Sequence, residues 1–475
     1  FDGFMSGPEF VVYNFDQVQP LGEVDDSQCP KDNPLPILLW GPPGTGKTTT
    51  LVASIFQLIL PGVSRVLVTA PSNYAADLIC ERLAELGVKP NRMLRLNAAL
   101  RDGRDMRERV KQYCRRNASG DAFAIPLEAE LQSFEVIIST CSSAGYIASR
   151  TRLGGWFSHV FVDEAAQALE PEALIPISLA EPGGLVVLAG DFQQLGPIVR
   201  SSVAVSFGLD VSLMERVVHR VGMDNPRVFT LLKTYRAHPS IMKLYNETVY
   251  GGALRCMSSS RSWDMERWPL CPRDGTTMRP VPVIFHHCET QEEREQWSPS
   301  WMNPGEIEVV RTYIEELSRF KVAAQDVGVI APYQLQCKRL RLMCRGEEFE
   351  AEVGTTEQFQ GREKRVIIVS TVRSRCEAEV PRDLRFALGF VGSYKRSNVA
   401  LSRARSMLIL VGNLRLLSMD AHWHAVIKIA QKLGCCRGPE FQLQEPQVVD
   451  DGIHVAQRQH GADEEAVARP WRDMM

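Results

Sequence analysis

The 475-residue sequence predicts an α/β fold built from two tandem, doubly wound parallel-sheet domains. Short apolar runs alternate with helical stretches, and several runs are apolar throughout, as in parallel strands covered on both faces. The alternation is interrupted once and then restarts. The composition, 44% hydrophobic and 23% charged, is ordinary for a globular chain with more than one core.

The first domain is predicted over residues 36–232, after an N-terminal segment 1–35. A helix is expected near 75–86 (AADLICERLAEL), and a polar, Arg-rich insertion over about 98–130. The apolar runs predict strands at 36–40, 64–70, 134–140, 159–163, 184–190 and 228–232.

The second domain is predicted over residues 233–437, with a connecting excursion at 251–281 that is rich in Ser, Arg, Pro and Trp. A helix is expected near 304–319. Strands are predicted at 282–287, 327–331, 365–372 and 407–412. Residues 438–475 lose periodicity and carry more acid than base, which predicts a disordered tail.

Charge, hydropathy and cysteine usage exclude several classes of protein. The net charge of −3 gives no global basic field, so nucleic-acid binding would need a local groove. The apolar stretches are far short of the ~20 residues of a membrane span, and we expect no membrane partner. The 12 cysteines form no Cys-x-x-Cys pair, which argues against zinc and favours reduced thiols.

The stretch "GPPGTGKTTT" satisfies the pattern G-x-x-x-x-G-K-[ST] between a strand and a helix. Its backbone N–H groups are expected to converge on phosphate oxygens at the positive end of the helix dipole. Lys47 is expected to contact the β- and γ-phosphates, and Thr48 to ligate Mg²⁺. The candidate nucleotide-binding residues here are Gly41, Pro42, Pro43, Gly44, Thr45, Gly46, Lys47, Thr48 and Thr49.

Two carboxylates follow the buried run in "HVFVDEAAQ". Asp163 is the expected Mg²⁺ partner, and Glu164 is the expected general base for the attacking water. The next strand ends in "LAGDFQQLGP", where Gln194 is a candidate γ-phosphate sensor, and Gln167 is a candidate second contact. Taken alone, Gln-Gln in a loop is more typical of a solvated turn.

The second domain lacks a phosphate loop, but it could supply positive charge to the nucleotide. Arginine suits this role because it stays charged and forks onto phosphate. Arg236 in "LLKTYRAHPSI" and Arg403 in "SNVALSRARSMLILVG" are the candidates. Taken singly, each arginine is more typical of a protein surface.

The motifs "GPPGTGKT", "DEAAQ", "GDFQQLGP", "TYRAHP", "APYQLQ", "TTEQFQGRE" and "NVALSRAR" occur in this order. The chain therefore resembles the superfamily 1 helicases, specifically the Upf-type RNA helicases. The stretches "APSNYAADLICERL", "VDEAAQALEPEALIPI", "SPSWMNPGE" and "STVRS" are similar to those of the group containing insect Armitage, the plant silencing-defective helicase and the vertebrate Moloney-leukaemia-virus-ten-like helicases.

The resemblance implies two tandem RecA-like domains with the nucleotide cleft between them, and with ATP and Mg²⁺ as cofactors. It makes Arg236 and Arg403 paired arginine fingers and places Tyr235 on adenine. It implies that Glu363 binds the ribose or helps to order the cleft.

The same resemblance makes Gln360 and Gly361 a link between nucleotide state and strand path. It also places an adenine-reading glutamine upstream of the phosphate loop, where "NFDQVQPLGEV" offers Gln17.

The resemblance further implies a single-stranded RNA path along strand ends, where small polar side chains and free N–H groups hold phosphates without reading sequence. Tyr333 could stack a base, and the Arg-rich stretch 101–116 could add backbone affinity or form a solvated helix face. Helix caps and turns are the alternative roles for the small residues. The candidates are Pro71, Ser72, Asn73, Ser139, Thr140, Pro332, Tyr333 and Thr371.

The sequence departs from the family pattern at several places. Pro20 would interrupt the helix after Gln17, Thr234 replaces the usual Gln or Asn before Tyr-Arg, and Glu357 stands where many relatives have Asp. The β-barrel insertion and stalk that precede the motor in these helicases are missing among the segments that the motifs identify. We therefore expect weaker unwinding and weaker RNA binding.

The resemblance implies an ATP-dependent RNA helicase motor that moves 5′-to-3′ on single-stranded RNA and acts in RNA silencing or RNA turnover. We expect a monomeric motor in the cytoplasm, including RNP granules, with RNA-silencing or RNA-decay proteins as partners. The alternatives are a DNA helicase of the same superfamily and an RNA-binding RNP scaffold with little turnover.

Overall fold

A computed structural model of the chain describes residues 35–103, 106–259, 264–295, 300–374, 389–390 and 392–446. The chain divides into two compact units. The first unit runs to Trp263 and includes Gln360–Arg362, and the second contains Asp264–Phe359 and the residues from Glu363 onward. The predicted adenine-reading element with Gln17 lies outside the described residues.

The first unit is built on a seven-stranded sheet in which every neighbouring pair of strands is parallel. Its strands are β1 (Ile37–Trp40), β2 (Val66–Ala70), β3 (Met93–Arg95), β4 (Val136–Thr140), β5 (Phe157–Val162), β6 (Ala180–Gly190) and β7 (Val228–Thr230). The order across the sheet is β3-β4-β2-β5-β6-β1-β7. Because non-consecutive strands are neighbours and all are parallel, crossover connections are required, which confirms the predicted doubly wound α/β class.

Helices connect these strands, and a short second ladder follows the sheet. The helices are α1 (Lys47–Ile59), α2 (Asn73–Glu85), α3 (Glu108–Lys111), α4 (Glu128–Leu131), α5 (Cys141–Arg150), α6 (Glu170–Ile177), α7 (Ser202–Ser206), α8 (Leu213–Val221) and α9 (Pro239–Thr248). The ladder pairs β8 (Lys233–Thr234) with β9 (Arg255–Cys256).

Burial explains why the strands of the first unit were readable from the sequence. All residues of β2 are buried, and α1 buries Leu51, Val52, Ile55 and Ile59 against the sheet. An apolar run of this kind fits a parallel strand covered on both faces. Because β1, β5 and β6 are parallel, their carboxyl ends lie at one edge of the sheet, where the loops that follow them can form a site.

The predicted start of the second domain at residue 233 needs correction. The first unit extends beyond β7 to Trp263, and the segment that follows β7 forms hydrogen bonds with the phosphate loop. Thr234 Oγ1 donates to the carbonyl of Pro43 at 2.8 Å, and the N–H of Tyr235 donates to the carbonyl of Gly44 at 2.9 Å. Apolar runs do not reveal such contacts.

The second unit contains a six-stranded, wholly parallel sheet. Its strands are β10 (Val283–His287), β13 (Val327–Ile330), β14 (Glu352–Gly354), β15 (Lys364–Ser370), β16 (Ala404–Gly412) and β17 (Cys436–Arg437), and an antiparallel pair joins β11 (Glu293–Arg294) to β12 (Trp301–Met302). The sheet order is β14-β13-β15-β16-β10-β17.

The helices of the second unit cover this sheet. They are α10 (Pro304–Arg319), α11 (Gln334–Gly346), α12 (Tyr394–Leu401), α13 (Leu414–Leu417) and α14 (Ala421–Lys432). α10 begins where the sequence predicts it, because Asn303 caps the helix by accepting from the N–H of Glu306 at 3.2 Å. No helix in the described ranges is long and apolar enough to cross a membrane.

The start of the predicted disordered tail is also corrected. Phe441 packs on His287 with ring centroids 4.7 Å apart, and the N–H of Gln444 donates to Ser418 Oγ at 2.8 Å. Residues 438–446 therefore pack on the second unit despite their lack of periodicity. The remainder of the predicted tail, 447–475, lies outside the described residues.

Candidate nucleotide site

The phosphate loop joins the end of β1 to the start of α1. Gly44 and Gly46 have φ of 72° and 87°, a conformation that residues with a Cβ rarely adopt. Thr45, only 1% exposed, donates its hydroxyl to the carbonyl of Pro42 at 2.8 Å and so braces the loop. Pro43 is also buried, whereas Thr49 is exposed.

Lys47 folds back over this loop. Its Nζ donates to the carbonyl of Gly41 at 3.1 Å and lies 3.9 Å from Glu164 Oε1. A Cβ at Gly41 would approach Lys47 Cγ to 2.3 Å, so only glycine leaves room for this lysine. The ammonium group therefore lies at the amino end of α1. The free N–H groups there favour anions, so a phosphate would meet both the lysine and the helix end.

Asp163 comes directly after β5 and reaches the first turn of α1. Thr48 Oγ1 donates to Asp163 Oδ2 at 3.3 Å, and the Asp163 N–H donates to the carbonyl of Thr69 at 2.8 Å. Burial, reinforced by the neighbouring Glu164 carboxylate, raises the pKa of Asp163 to about 7. The two predicted magnesium-site residues therefore contact each other.

This raised pKa makes the stability of the ligand-free protein depend on pH. The pKa of Asp163 is raised to about 7 in the folded protein, whereas the ordinary pKa of an aspartate is 3.8. Unfolding therefore releases a proton between these values, and the free energy of unfolding falls as pH rises from about 4 to about 7. We expect Asp163→Asn, measured by thermal melting without nucleotide or Mg²⁺, to melt roughly 2–4 °C above wild type at pH 8 and to show a smaller excess at pH 5.

An exposed aspartate of the same unit is the control. Asp224 lies on the surface, so Asp224→Asn should leave the melting temperature unchanged at both pH values. An Asp163→Asn protein that melts below wild type at pH 8 would show that burial of the ionised carboxylate does not destabilise the folded protein.

Glu164 has φ of 52°, in the left-handed region that is uncommon for residues other than glycine. Gln167 Nε2 donates to Glu164 Oε2 at 2.6 Å, and the Glu164 N–H donates to Asp163 Oδ1 at 2.9 Å. Unusual backbone of this kind concentrates at functional sites. Gln167 thus contacts the proposed base directly, whereas the sequence placed it near the nucleotide.

Gln194 is buried in the loop after β6 and is held by a residue that sequence reasoning missed. Its Nε2 donates to Asp191 Oδ2 at 2.6 Å. Asp191 follows β6 as Asp163 follows β5, so a carboxylate directly after a buried strand was the available signal. Asp191 and Gln194 lie in the same sheet-edge region as the phosphate loop, since Gly41 bonds to Gly190 at 3.1 Å.

The structure places Arg236 in the first unit, and this corrects the expectation that the second domain supplies both arginines. A Cβ at Gly44 would lie 2.4 Å from Arg236 Cβ, so Arg236 adjoins the phosphate loop. Tyr235 is tied to the same loop through its N–H, and its stacking on adenine stays a prediction.

Arg403 lies in the second unit and is 2% exposed. Its guanidinium donates to the carbonyl of Val399 at 3.0 Å and to Ser402 Oγ at 2.9 Å. The exposed Glu363 of the same unit lies 3.9 Å from Arg405. The roles of Arg403 and Glu363 toward a nucleotide stay predictions.

The segment Gln360–Arg362 groups with the first unit. Gln360 Nε2 donates to the carbonyl of Leu195, in the loop of the candidate sensor, at 3.3 Å. Gly361 has φ of 74° and lies 3.9 Å, by an added Cβ, from the ring of Tyr74. Gln360 therefore contacts the loop of the candidate sensor, and its role as a link to nucleotide state stays a prediction.

The first stretch of the predicted RNA path lies at the start of α2. Ser72 Oγ accepts from the N–H of Ala75 at 3.2 Å, so it is the helix cap that the alternative interpretation expected. Asn73 is exposed, and its Oδ1 accepts from the buried Arg95 at 2.9 Å. Pro71 is half-buried. Asn73 is therefore oriented by a buried cation and remains available at the surface.

The second stretch lies at the start of α5. Thr140 caps this helix by accepting from the N–H of Ser143 at 3.2 Å. Ser139 is 0% exposed and donates its hydroxyl to the carbonyl of Thr140 at 3.0 Å. The predicted role of the Ser139 side chain on an RNA surface is therefore not supported.

The Arg-rich stretch of the insertion pairs with acidic residues of α2 and, at Arg115, with an acidic residue of α4. Arg101 and Arg95 both contact the buried Asp77, at 2.5 and 2.8 Å respectively. Arg107 pairs with Glu81. Further along, Arg109 and Arg115 pair with Glu85 and Glu130. These ion pairs neutralise much of the positive charge with which the stretch could add affinity for an RNA backbone.

In the second unit the candidate residue Thr371 is 1% exposed and belongs to a strained turn. Val372 has φ of 74°, a genuine outlier for a β-branched residue, and the N–H of Arg373 donates to the carbonyl of Thr371 at 2.9 Å. Glu306 accepts from the Val372 N–H at 2.9 Å, and Asn303 Nδ2 donates to the carbonyl of Val372 at 3.1 Å. The Thr371 hydroxyl is directed inward, so the predicted RNA contact by this side chain is not supported.

The carboxyl group that holds this turn has an altered pKa, since burial raises the pKa of Glu306 to about 7. Pro332 and Tyr333, the other RNA candidates of this unit, are half-buried, and Tyr333 packs on the unit's core. Their contact with a base or phosphate stays a prediction.

The donor chemistry of the site fits the expected nucleotide and magnesium ion. Mg²⁺ prefers oxygen ligands and is held at phosphate sites by one or two protein groups, which matches Thr48 and Asp163. A cation beside Asp163 would favour its charged form and reverse the raised pKa. The glycine loop and Lys47 supply the cradle for phosphates.

Fold and site together define a P-loop nucleotide-binding protein with two parallel-sheet units. Two family models, each described as an AAA domain, match the chain, one at residues 28–118 and 91–202 and the other at residues 209–415. The first of these models covers β1 to β6 of the first unit, and the second begins in the first unit, before β7, and extends to α13 of the second unit.

Curated relatives extend this assignment. The putative helicase MOV-10 of Gallus gallus is 36% identical over 90% of this chain and 48% of its own length. The RNA helicase Mov10l1 of Mus musculus is 39% identical over 91% of this chain and 37% of its own length. The probable RNA helicase armi of Drosophila melanogaster is 35% identical over 84% of this chain and 36% of its own length.

The chain belongs to the superfamily 1 Upf-type helicases, in the group of Armitage and the Moloney-leukaemia-virus-ten-like proteins. It spans about half or less of the length of these relatives.

Proposed function

We propose that the chain is the motor region of an ATP-dependent RNA helicase. The observation that carries the proposal is the convergence of Lys47, Thr48, Asp163 and Glu164 at the strand ends of the first unit. This set contains a phosphate-binding lysine, a hydroxyl and carboxylate for Mg²⁺, and a second carboxylate for water, which together are the parts that phosphoryl transfer to water needs.

In this proposal each residue has one task. Lys47 binds the β- and γ-phosphates, and Thr48 and Asp163 hold Mg²⁺, which when bound neutralises charge on the phosphate oxygens. Glu164 orients the attacking water and accepts its proton, with Gln167 restraining the carboxylate at 2.6 Å. Arg236, beside the phosphate loop, and Arg403 are the candidates for stabilising charge on the transferring phosphoryl group.

RNA as the polymer is proposed from the relatives whose names include RNA helicase. Asn73 and the capped helix start at Thr140 are the described first-unit candidates for phosphate contacts without base readout. We further propose 5′-to-3′ movement, a role in RNA silencing or turnover together with proteins of those pathways, and a cytoplasmic location. The cysteines of the described ranges are free thiols, as is usual for a reducing compartment.

ATP turnover measured with single-stranded RNA, with single-stranded DNA of the same sequence and with neither tests this function. We expect RNA to stimulate turnover more than DNA, since contacts to the 2′-hydroxyl distinguish the two polymers. Equal or greater stimulation by DNA would instead indicate a DNA helicase. RNA binding without turnover would indicate an RNP scaffold.

A further inference from the structure

The buried Asp191 gathers hydrogen-bond donors from three parts of the first unit. Its Oδ2 accepts from Gln194 Nε2 at 2.6 Å and from the Tyr250 hydroxyl at 2.7 Å. Its Oδ1 accepts from Trp40 Nε1 at 3.0 Å and from the N–H of Gln193 at 3.1 Å. Asp191 is 2% exposed, so these hydrogen bonds are shielded from water and constrain one another.

The donors are themselves held by packing. Trp40 ends β1, immediately before the phosphate loop, and its ring stacks on Phe192 with centroids 5.3 Å apart. Tyr250 is 5% exposed and lies two residues beyond α9. Its ring contacts Trp40 and the edge of Tyr245, each with centroids 6.2 Å apart. The Tyr250 hydroxyl therefore has a defined position.

The segment that carries Tyr250 also reaches the phosphate loop at its other end. Thr234 donates to Pro43 at 2.8 Å, and Tyr235 donates to Gly44 at 2.9 Å. Residues 233–250 thus bridge the loop that cradles phosphates and the carboxylate that holds Gln194. Rigid support of this kind keeps a functional side chain within the narrow range that catalysis tolerates.

We propose that Tyr250 is a positioning residue for triphosphate hydrolysis, acting through Asp191 on Gln194. The inference rests on the proposed function and on the predicted role of Gln194 as a γ-phosphate sensor within it. Gln194 and Tyr250 share Asp191 Oδ2, so the tyrosine hydroxyl limits where that oxygen can lie and thereby sets the direction of the Gln194 amide. Without the hydroxyl, the carboxylate turns and Gln194 no longer reaches the terminal phosphate.

Tyr250→Phe tests the proposal because it removes only the hydroxyl and keeps the ring packing. We expect kcat for ATP to fall about tenfold, the order of one hydrogen bond to a charged group. Tyr113→Phe is the matched control, since the buried Tyr113 hydroxyl donates to the carbonyl of Val88 at 2.7 Å in the same unit. It should leave kcat unchanged.

The Gln194→Ala background separates positioning from a general structural effect. If Tyr250 acts through Gln194, Tyr250→Phe should have little further effect on kcat in that background. An equal loss in both backgrounds, or an unchanged kcat in wild type, would overturn the proposal.

Nucleotide binding gives a readout that does not need turnover. Fluorescent ATP and ADP analogues should show that Tyr250→Phe and Gln194→Ala both weaken the preference for triphosphate over diphosphate. An unchanged preference in Tyr250→Phe would overturn the inference. A wild-type chain without turnover would contradict the proposed function, and the binding preference would still decide the role of Tyr250.

Discussion

Lys47→Ala is expected to lower RNA-stimulated ATP turnover by at least about a hundredfold, the scale of losing one preorganised charge-stabilising group. The ammonium group lies over the phosphate loop, 3.1 Å from the Gly41 carbonyl, at the amino end of α1. Alanine leaves the glycine backbone intact but removes the charge that meets the β- and γ-phosphates. A steady-state phosphate-release assay measures the loss, and nucleotide affinity should fall with it.

Lys243 provides the control for this substitution. It is an exposed lysine of the same unit, paired with Glu247 at 3.8 Å on α9. Lys243→Ala should retain full turnover, because exposed pairs of this kind contribute little. Turnover retained by pure Lys47→Ala protein would remove the basis for placing the nucleotide at this loop.

Glu164→Gln is expected to lower kcat by roughly 10²–10⁴, the contribution typical of a general base, while nucleotide and RNA binding are retained. The side chains are nearly the same size, so the left-handed backbone at φ 52° and the contact with Gln167 can persist. An amide cannot take the proton from water. Single-turnover kinetics with radiolabelled ATP, together with equilibrium binding, separate this loss from a failure to bind.

The outcome for Glu164→Gln differs from that for Lys47→Ala, which should lose affinity as well as turnover. Glu108→Gln is the control, since Glu108 is an exposed glutamate paired with Lys111 on α3. It should behave as wild type. If Glu164→Gln hydrolysed ATP at the wild-type rate, another group would have to activate the water.

Much of the first unit could be predicted from sequence because its signals are local. The buried runs ending at Trp40 and Val162 announce parallel strands, and the residues that follow them carry the glycine loop and the paired carboxylates. Since the carboxyl ends of parallel strands share one edge, the meeting of Thr48 and Asp163 was predictable without coordinates.

Other features depend on contacts between segments distant in sequence. The domain boundary was misplaced because Thr234 and Tyr235 bond to the phosphate loop, which no hydrophobic period reports. Ser139 and Thr371 occur in motif-like stretches, yet burial directs both hydroxyls inward. The arginines of the insertion could not be assigned because their acidic partners lie on a different helix.

The sequence by itself determined the α/β class, the phosphate loop, the two carboxylates and the family, because residue spacing and strand patterning are properties of short segments. Only the tertiary structure decided that Arg236 belongs to the first unit and that Asp191 joins Gln194 to Tyr250. The physical reason is that Asp191 and Tyr250 are 59 residues apart, and only the packing of helices and strands brings them together. Nothing in the sequence around either residue indicates that the other is its hydrogen-bond partner.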